Sequence, residues 1–245
     1  MSADLSIDLQ TAHQTIAAAG AALTAAGREA PNAAVPWCPD WTVSSVLAHV
    51  GCLHEWVAGM VRSSAAESQP FPAAPEFTGG ALADWADERR HLLLEALGDA
   101  DPDKPMWAFG FQLPTRFWAR RQAHETAVHA IDATAAAGAA WQIPGDVADD
   151  GLAEFLTVFL PVRWERRPPT WGEGRSVHFH RTDGDGDRVL TITSPPQIRP
   201  GQGQGNLSVR GTAQNLLLWT LSRPASVELM GDERLAASWA EHVRF

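Results

Sequence analysis

The chain has 245 residues, of which 45% are apolar and 20% charged, so its length predicts one large domain or two domains of medium size. Its 19 basic and 29 acidic residues give a net charge of -10, and no Lys- or Arg-rich run occurs, so we expect no nucleic acid and no membrane as partner. Apolar runs of about 18 residues are absent, and the first residues lack the pattern of a signal peptide. With both cysteines, Cys38 and Cys52, predicted to be reduced, we expect a cytoplasmic protein.

Residues 1–142 predict a bundle of four helices separated by loops that contain proline and glycine. Thr42 is a suitable N-cap for the second helix, which carries an apolar stripe from Val43 to Val57. The segment from Asp99 to Pro114 is predicted to be a loop. The predicted helices are about Leu5–Arg28, a helix beginning near Thr42, about Gly80–Leu97 and about Pro114–Gly138.

Residues 143–245 predict a second, smaller domain of the α+β class. It begins with a helix over Val147–Leu160. The Asp-Gly-Asp-Gly-Asp run at Asp183–Asp187 predicts a hairpin turn, because the later acid of a calcium loop is absent. Strand-like segments are Ser176–Arg181, Arg188–Thr193 and Asn206–Gly211, and helical patterns at Thr212–Ser222 and Asp232–His242 flank a short apolar run, Ser226–Met230.

The fourth predicted helix carries the polar residues that can do chemistry. At about 100° per residue, Arg121, Glu125, His129 and Asp132 share one narrow face of a helix otherwise rich in alanine, valine and isoleucine. A glutamate and a histidine four residues apart can bind one metal ion, and this pair of donors suits Zn²⁺ or another divalent transition metal. Asp132 would orient His129 through the second ring nitrogen.

A third ligand is available on the second helix. His49 lies beside the apolar stripe, so it can face the fourth helix, and His49, Glu125 and His129 would form a three-ligand site with an open coordination position. Such open sites are typical of catalytic zinc. Cys52, three residues after His49, is interpreted as a small core residue rather than as a ligand.

A different motif on the fourth helix is excluded by its register. A metalloprotease His-Glu-x-x-His motif starting at His124 would need a second histidine where Val128 stands. Because His124 points about 100° away from Glu125 on a helix, we interpret it as a packing or surface residue.

Each candidate ligand also has a purely structural interpretation. Glu125 and His129 can be a helix pair worth roughly 0.2–0.5 kcal/mol on a solvated face, and Arg121 can simply pair with Glu125. Spacing alone does not decide between this pair and a metal site. His178 and His180 lie on one face of a predicted strand, but no carboxylate or cysteine is spaced near them, so we interpret them as part of a polar outer face.

Three segments of the chain resemble the mycothiol-dependent maleylpyruvate isomerase family, which is related to the DinB-like metal-binding bundles. They are residues 35–50, which contain Cys-Pro-Asp-Trp-Thr; residues 117–132, which contain Glu-x-x-x-His; and residues 209–232. The resemblance spans nearly the whole chain. It implies an α+β fold with an N-terminal DinB-like four-helix bundle, followed by a smaller domain that resembles sterol carrier proteins.

The resemblance also implies a site and an activity. The metal, normally zinc, would be held by His49, Glu125 and His129, and Arg223 would be a catalytic arginine, although an arginine after a helix can also serve the helix dipole. Mycothiol would be the thiol cosubstrate, activated as a thiolate by the metal. The thiolate would attack a small electrophilic or unsaturated acid, whose carboxylate Arg121 or Arg223 can bind.

The outcome of such an attack is open between two reactions, cis–trans isomerisation and S-transfer. Two alternatives use the same bundle without a thiol: a hydrolase that activates water on the metal, and a non-catalytic metal- or ligand-binding regulator. We expect a monomer or a homodimer.

Overall fold

The structure is a computed structural model that describes residues 7–243. It divides into two compact units with the boundary between Ile143 and Pro144, the first built from helices and the second from a sheet and shorter helices. The predicted α+β class is therefore confirmed. The first unit contains four long helices, α1 (Leu9–Glu29), α2 (Val43–Ser63), α3 (Gly79–Asp99) and α4 (Arg116–Ala136), and two short strands, β1 (Pro105–Ala108) and β2 (Phe111–Pro114).

Side-chain caps fix where the first two helices begin. The Asp8 carboxylate accepts a hydrogen bond from the Thr11 backbone N–H at 2.7 Å, so α1 begins at Leu9, and the predicted start at Leu5 lies outside the described residues. The predicted N-cap of α2 is confirmed: Thr42 and Ser45 exchange side-chain and backbone hydrogen bonds in a capping box.

The core of the first unit lies between the four helices. The apolar stripe of α2 is buried as predicted, with Val46, Leu47 and Val50 each at most 1% exposed, and Leu53 is half-buried. These side chains belong to one buried cluster that also includes Leu23 of α1. The helices that carry the candidate ligands are thus held by a continuous apolar core.

The loop predicted between Asp99 and Pro114 is instead largely a hairpin. β1 and β2 pair in antiparallel fashion, and the two residues between them, Phe109 and Gly110, both have positive φ, 52° and 92°. Two positive values are what a two-residue hairpin turn of type I′ requires. Phenylalanine is an uncommon first residue for such a turn. Of the usual Asn-Gly or Gly-Gly pair, the sequence therefore has only the second residue, Gly110.

The second unit holds the other strands and helices. The helix predicted to end at Leu160 continues further, because a π-helical turn, Phe155–Phe159, joins two α-helical pieces. One strand, β5, was not predicted and lies in a segment with little alternation. The elements are α5 (Gly145–Glu154), α6 (Leu160–Arg166), β3 (Ser176–Arg181), β4 (Arg188–Thr191), β5 (Gln197–Pro200), β6 (Leu207–Gly211), α7 (Ala213–Thr220), β7 (Glu228–Gly231) and α8 (Glu233–His242).

These five strands form one sheet in the order β5-β4-β3-β6-β7, in which only the pair β3–β6 is parallel. The central strand β3 alternates strictly: Val177 and Phe179 are fully buried, whereas His178 and His180 lie on the opposite face and are half-buried. The Phe179 ring packs edge-on against Trp239 of α8, with the centroids 6.0 Å apart. The core of this unit therefore lies on the helix-covered face of the sheet.

Among residues 7–243, no helix combines the length and the apolar character that crossing a bilayer would require.

Candidate metal centre

The polar face predicted for α4 is present. Glu125, His129 and Asp132 lie on this helix within one ordered polar cluster, and His129 is 8% exposed and Asp132 0%. Burying such groups is unfavourable unless each finds a partner. Their partners come from α2 and from the loop that precedes it.

His49 of α2 reaches the two predicted ligands on α4. Its Nε2 lies 3.4 Å from Glu125 Oε1, and His129 Nε2 lies 3.2 Å from the same oxygen. One ligand atom from each of the three residues lies within 4.8 Å of the others. The two imidazoles and one carboxylate match the donors that zinc and its neighbours prefer, so the residues present fit such an ion.

Asp132 holds the His129 ring in a defined orientation. Its Oδ2 lies 2.9 Å from His129 Nδ1, and its Oδ1 accepts a 2.6 Å hydrogen bond from the indole N–H of Trp37. A proton on Nδ1, shared with the carboxylate, leaves Nε2 as the nitrogen with a free lone pair facing Glu125. Trp37 was not among the predicted site residues. Its indole N–H orients the Asp132 carboxylate, which in turn orients the His129 ring.

Trp41 covers both histidines and was also missed from the sequence. Its ring centroid lies 5.1 Å from that of His49 and 6.0 Å from that of His129, on which it stacks. The loop that carries it is tied back by a hydrogen bond from the Val35 N–H to the Trp41 carbonyl, and Asp40 turns the chain with φ 66°. The Cys-Pro-Asp-Trp-Thr segment therefore has a structural reason: it directs one tryptophan on either side of its turn toward the cluster.

The electrostatics favour an uncharged His49. Burial, followed by the charges of His129 and Arg121, lowers the pKa of His49 to about 4. An uncharged imidazole is the form that binds a metal. Arg121 forms an ion pair with the other oxygen of Glu125, Oε2, so Oε1 is the oxygen that faces both histidines.

The remaining candidates take other positions. His124 is 3% exposed, which agrees with a packing role, and Cys52 is 2% exposed, its Sγ 3.7 Å from the Ala73 carbonyl. No disulfide bond joins Cys38 to Cys52. Arg223 lies in the second unit just after α7, half-buried, and its Nη1 donates a 3.1 Å hydrogen bond to the Leu221 carbonyl at the end of that helix.

The interpretation of His178 and His180 as a polar face without a nearby carboxylate was wrong. Asp187 Oδ2 lies 2.9 Å from His180 Nδ1 and 3.3 Å from His178 Nε2. The hairpin between β3 and β4 returns the chain, so a residue seven positions after His180 becomes its neighbour. The register of the hairpin, which the spacing along one strand does not reveal, would have shown it.

Comparison with known proteins places the chain in a family. Residues 9–134, more than half of the chain, match the family model described as the mycothiol maleylpyruvate isomerase N-terminal domain. The chain therefore belongs to the mycothiol maleylpyruvate isomerase family. Residues 146–238 match the model of the corresponding C-terminal domain. No curated protein matches the chain.

Two solved structures, both of a mycothiol-dependent maleylpyruvate isomerase, share the fold. One of a histidine-to-alanine mutant is 15% identical to this chain with a TM-score of 0.65, and the other is 16% identical with a TM-score of 0.64. Each comparison covers 91% of this chain and 93% of that chain. The likeness thus extends over both the helical and the sheet-containing parts of the fold.

Proposed function

We propose that this member of the family is a metal-dependent enzyme that uses mycothiol as cosubstrate and acts on a small electrophilic or unsaturated acid. The observation that carries the proposal is the convergence of His49, Glu125 and His129 from two helices, with donor atoms within 4.8 Å of one another. A Zn²⁺ ion, or another divalent transition metal, fits this donor set. The choice of mycothiol as cosubstrate is supported by the family and by the names of the two solved structures.

The bound metal would supply one chemical effect, a pKa of the thiol well below its ordinary value of about 8.5, so that thiolate prevails at neutral pH. The chain's own residues prepare for it. Asp132 holds the His129 proton on Nδ1, Arg121 holds one oxygen of Glu125, and the Trp41 ring packs against both imidazoles.

The reaction class follows from a thiol and a conjugated acid. Addition of the thiolate to the double bond leaves a carbon–carbon single bond and an enolate, rotation follows, and expulsion of the thiolate restores the double bond in the other geometry. Where the enolate instead takes a proton from water, the thioether is the product and the enzyme is an S-transferase. We further propose that an arginine binds the carboxylate of the substrate, because a guanidinium offers two parallel donors, and Arg121 and Arg223 are the two alternatives for this role.

The metal ligands are tested by a pair of variants on α4. We expect His129→Ala to lose one equivalent of zinc per chain relative to the unmodified protein, measured by elemental analysis after gel filtration. His124→Ala, which removes a buried imidazole from another face of the helix, should keep it. Equal loss of zinc in two variants that retain the same circular dichroism would contradict the ligand set.

The thiol dependence separates the enzyme from its alternatives. The zinc-loaded protein is incubated with a panel of electrophilic and unsaturated acids, with and without mycothiol, and the products are identified by mass spectrometry. Turnover that requires the thiol supports the proposal. Turnover in its absence would indicate the hydrolase, and no turnover of any compound would indicate a binding protein.

The arginine of the second unit is tested by its effect on substrate affinity. Losing a charge-assisted pair of hydrogen bonds costs about tenfold or more in affinity, so we expect Arg223→Lys to raise KM for the acid while KM for mycothiol stays unchanged. The exposed Arg234 offers the matched change, Arg234→Lys. An unchanged KM for the acid in Arg223→Lys would mean that Arg223 only stabilises the end of α7 and does not bind the substrate.

A further inference from the structure

A second group of metal-ligating side chains lies in the C-terminal unit, on the face of the sheet opposite its apolar core. His178 and His180 of β3 and Asp187 each offer a ligand atom within 4.8 Å of the other two. The mechanism proposed above uses none of them. Two imidazole nitrogens and one carboxylate oxygen form the same donor set as in the helical bundle, built here on strands.

The backbone of the hairpin brings the three residues together. In the antiparallel pair of β3 and β4, His178 lies opposite Val189 and Phe179 lies opposite Arg188 at the last position of the ladder. Extending this register by one residue, to the position just before β4, places Asp187 opposite His180. Residues that face each other across strands, and residues two apart along one strand, share a face. The arrangement thus follows from the ladder and does not depend on one flexible side chain.

The carboxylate is oriented toward the two rings. Oδ1 of Asp187 accepts a 3.0 Å hydrogen bond from the Arg181 backbone N–H, which leaves Oδ2 to face His180 Nδ1 at 2.9 Å and His178 Nε2 at 3.3 Å. Around a tetrahedral zinc ion with bonds near 2.0–2.1 Å, two ligand atoms lie about 3.3 Å apart. The two oxygen–nitrogen separations are therefore within a few tenths of an ångström of those around a bound ion, and the two ring nitrogens lie within 4.8 Å of each other.

The surroundings enclose the cluster on one side and leave it open on the other. A Cβ on Gly205 would lie 2.8 Å from the His178 backbone nitrogen, so this glycine lets the loop pass close over the strand. The side chains of His178 and Asp187 are 12% and 11% exposed, whereas that of His180 is 32% exposed. An ion can therefore approach on the side of His180, and its binding site between His178 and Asp187 is partly shielded from solvent.

An arginine of the neighbouring strand is paired with a carboxylate. Arg210 of β6 lies beside His180 in the sheet, but its guanidinium donates a 2.8 Å hydrogen bond to Glu228. Without metal, both rings donate an N–H to the same oxygen of Asp187. Each ring can release that nitrogen by moving its proton to the other ring nitrogen, so a dication would replace two hydrogen bonds with two coordination bonds.

We propose that His178, His180 and Asp187 form a second site for a divalent transition-metal ion of the zinc class. The ion joins β3 to the start of β4 and keeps an open coordination position on the side of His180. The proposal does not depend on the ligands in the helical bundle or on the activity proposed for them.

The test counts zinc in variants of the full chain. Metal is removed with a chelator, excess Zn²⁺ is added, and the protein is separated by gel filtration before elemental analysis. We expect two equivalents in the unmodified protein, one in His129→Ala, one in His180→Ala and none when both substitutions are combined. One equivalent in the unmodified protein and none in His129→Ala would overturn the second site while leaving the first intact.

A conservative pair of variants separates ligation from folding. Asp187→Asn keeps an oxygen for the Arg181 N–H but removes the charge, and we expect it to lose the second equivalent of zinc. Asp185→Asn makes the same change at an exposed position of the same loop and should retain it. Copper(II) bound to His129→Ala should show nitrogen hyperfine coupling in electron paramagnetic resonance that disappears in the combined variant with His180→Ala. Persistence of that coupling would contradict the assignment.

Discussion

At Asp132, one fully buried carboxylate accepts from two donors, the His129 ring and the Trp37 indole. The ionised form makes His129 a better ligand, because the charge favours a proton on Nδ1 and raises the basicity of Nε2. We expect Asp132→Asn to weaken zinc binding by about 10- to 100-fold, measured by competition with a chromophoric chelator.

The control for this prediction is Asp84→Asn, because the Asp84 side chain is 71% exposed and its ion pair with Arg28 lies at the surface. Zinc affinity should be the same in this variant as in the unmodified protein. If Asp132→Asn also left the affinity unchanged, the carboxylate would act in folding alone.

His54 is a buried histidine that the proposed mechanism does not use. It is 1% exposed, its Nε2 lies 2.9 Å from the Thr126 hydroxyl, and among residues 7–243 its Nδ1 has no hydrogen-bond partner. Burial, followed by the charge of Arg90, lowers the pKa of His54 from 6.5 to about 3. The folded chain thus keeps this ring neutral where the unfolded chain protonates it.

This difference makes stability depend on pH. Above pH 6.5 both states are neutral at His54, and as the pH falls toward 3 the unfolded state alone gains a proton. In that window His54 lowers the free energy of unfolding by up to about 1.4 kcal/mol per pH unit. We expect His54→Gln to reduce the pH dependence of the free energy of unfolding, measured with urea between pH 7 and 4.5. The matched variant His91→Gln, which changes an exposed ring, should leave that pH dependence unchanged. Parallel profiles for His54→Gln and the unmodified chain would refute this cause.

Among the elements, α4 shows what a helical period can predict. Because side chains repeat every 3.6 residues, the sequence places Glu125, His129 and Asp132 on one face, and the structure has them together. The two tryptophans that complete the surroundings come from a loop. Their positions depend on turns and on hydrogen bonds between distant backbone groups, which no periodicity encodes.

The missed partner of His178 and His180 has a related cause. A strand period predicts that the two rings share a face, but it does not say which residue of the next strand lies opposite. That register depends on the length of the turn, and here the turn brings back Asp187. The hairpin β1–β2 was missed because its turn uses Phe109 where glycine or asparagine is usual.

Helix α2 allows a matched test of how closely it packs against α3. A Cβ on Gly51 would lie 2.1 Å from the Trp85 ring, whereas a Cβ on Gly59 would meet nothing within 4 Å. We expect Gly51→Ala to lower the free energy of unfolding by about 1–3 kcal/mol, because the ring must move. Gly59→Ala should raise it by about 0.5–1 kcal/mol through helix propensity.

Urea unfolding of both variants at one pH checks this pair. Since the two substitutions add the same atom to the same helix, a shared effect on propensity cancels in the difference. Equal changes in the free energy of unfolding would mean that the Trp85 ring can move aside without destabilising the fold.

At the scale of the whole molecule, the sequence predicted the structural class of each unit better than the bounds of its individual helices and strands. The sequence changes after residue 143 from alanine-rich helical patterns to a mixture of helical and alternating patterns, and each unit has its own aromatic core. Trp107 and Trp118 stack in the first unit, and Trp219 and Trp239 stack in the second. The long helices were predicted well, since many residues contribute to one pattern, whereas four-residue strands such as β5 carry too few.

The ligand set proposed for the bundle predicts which helices zinc would protect from opening. The three residues join α2 to α4, and an ion that binds the folded state alone resists any opening that separates these helices. At free zinc about 100-fold above its dissociation constant, amide exchange through such openings should slow by up to about 100-fold. Hydrogen-exchange mass spectrometry of peptides from α2 and α4 measures it. His124→Ala should keep the zinc effect and His129→Ala should lose it, whereas slowing that survives in His129→Ala would show that the ion binds elsewhere in the bundle.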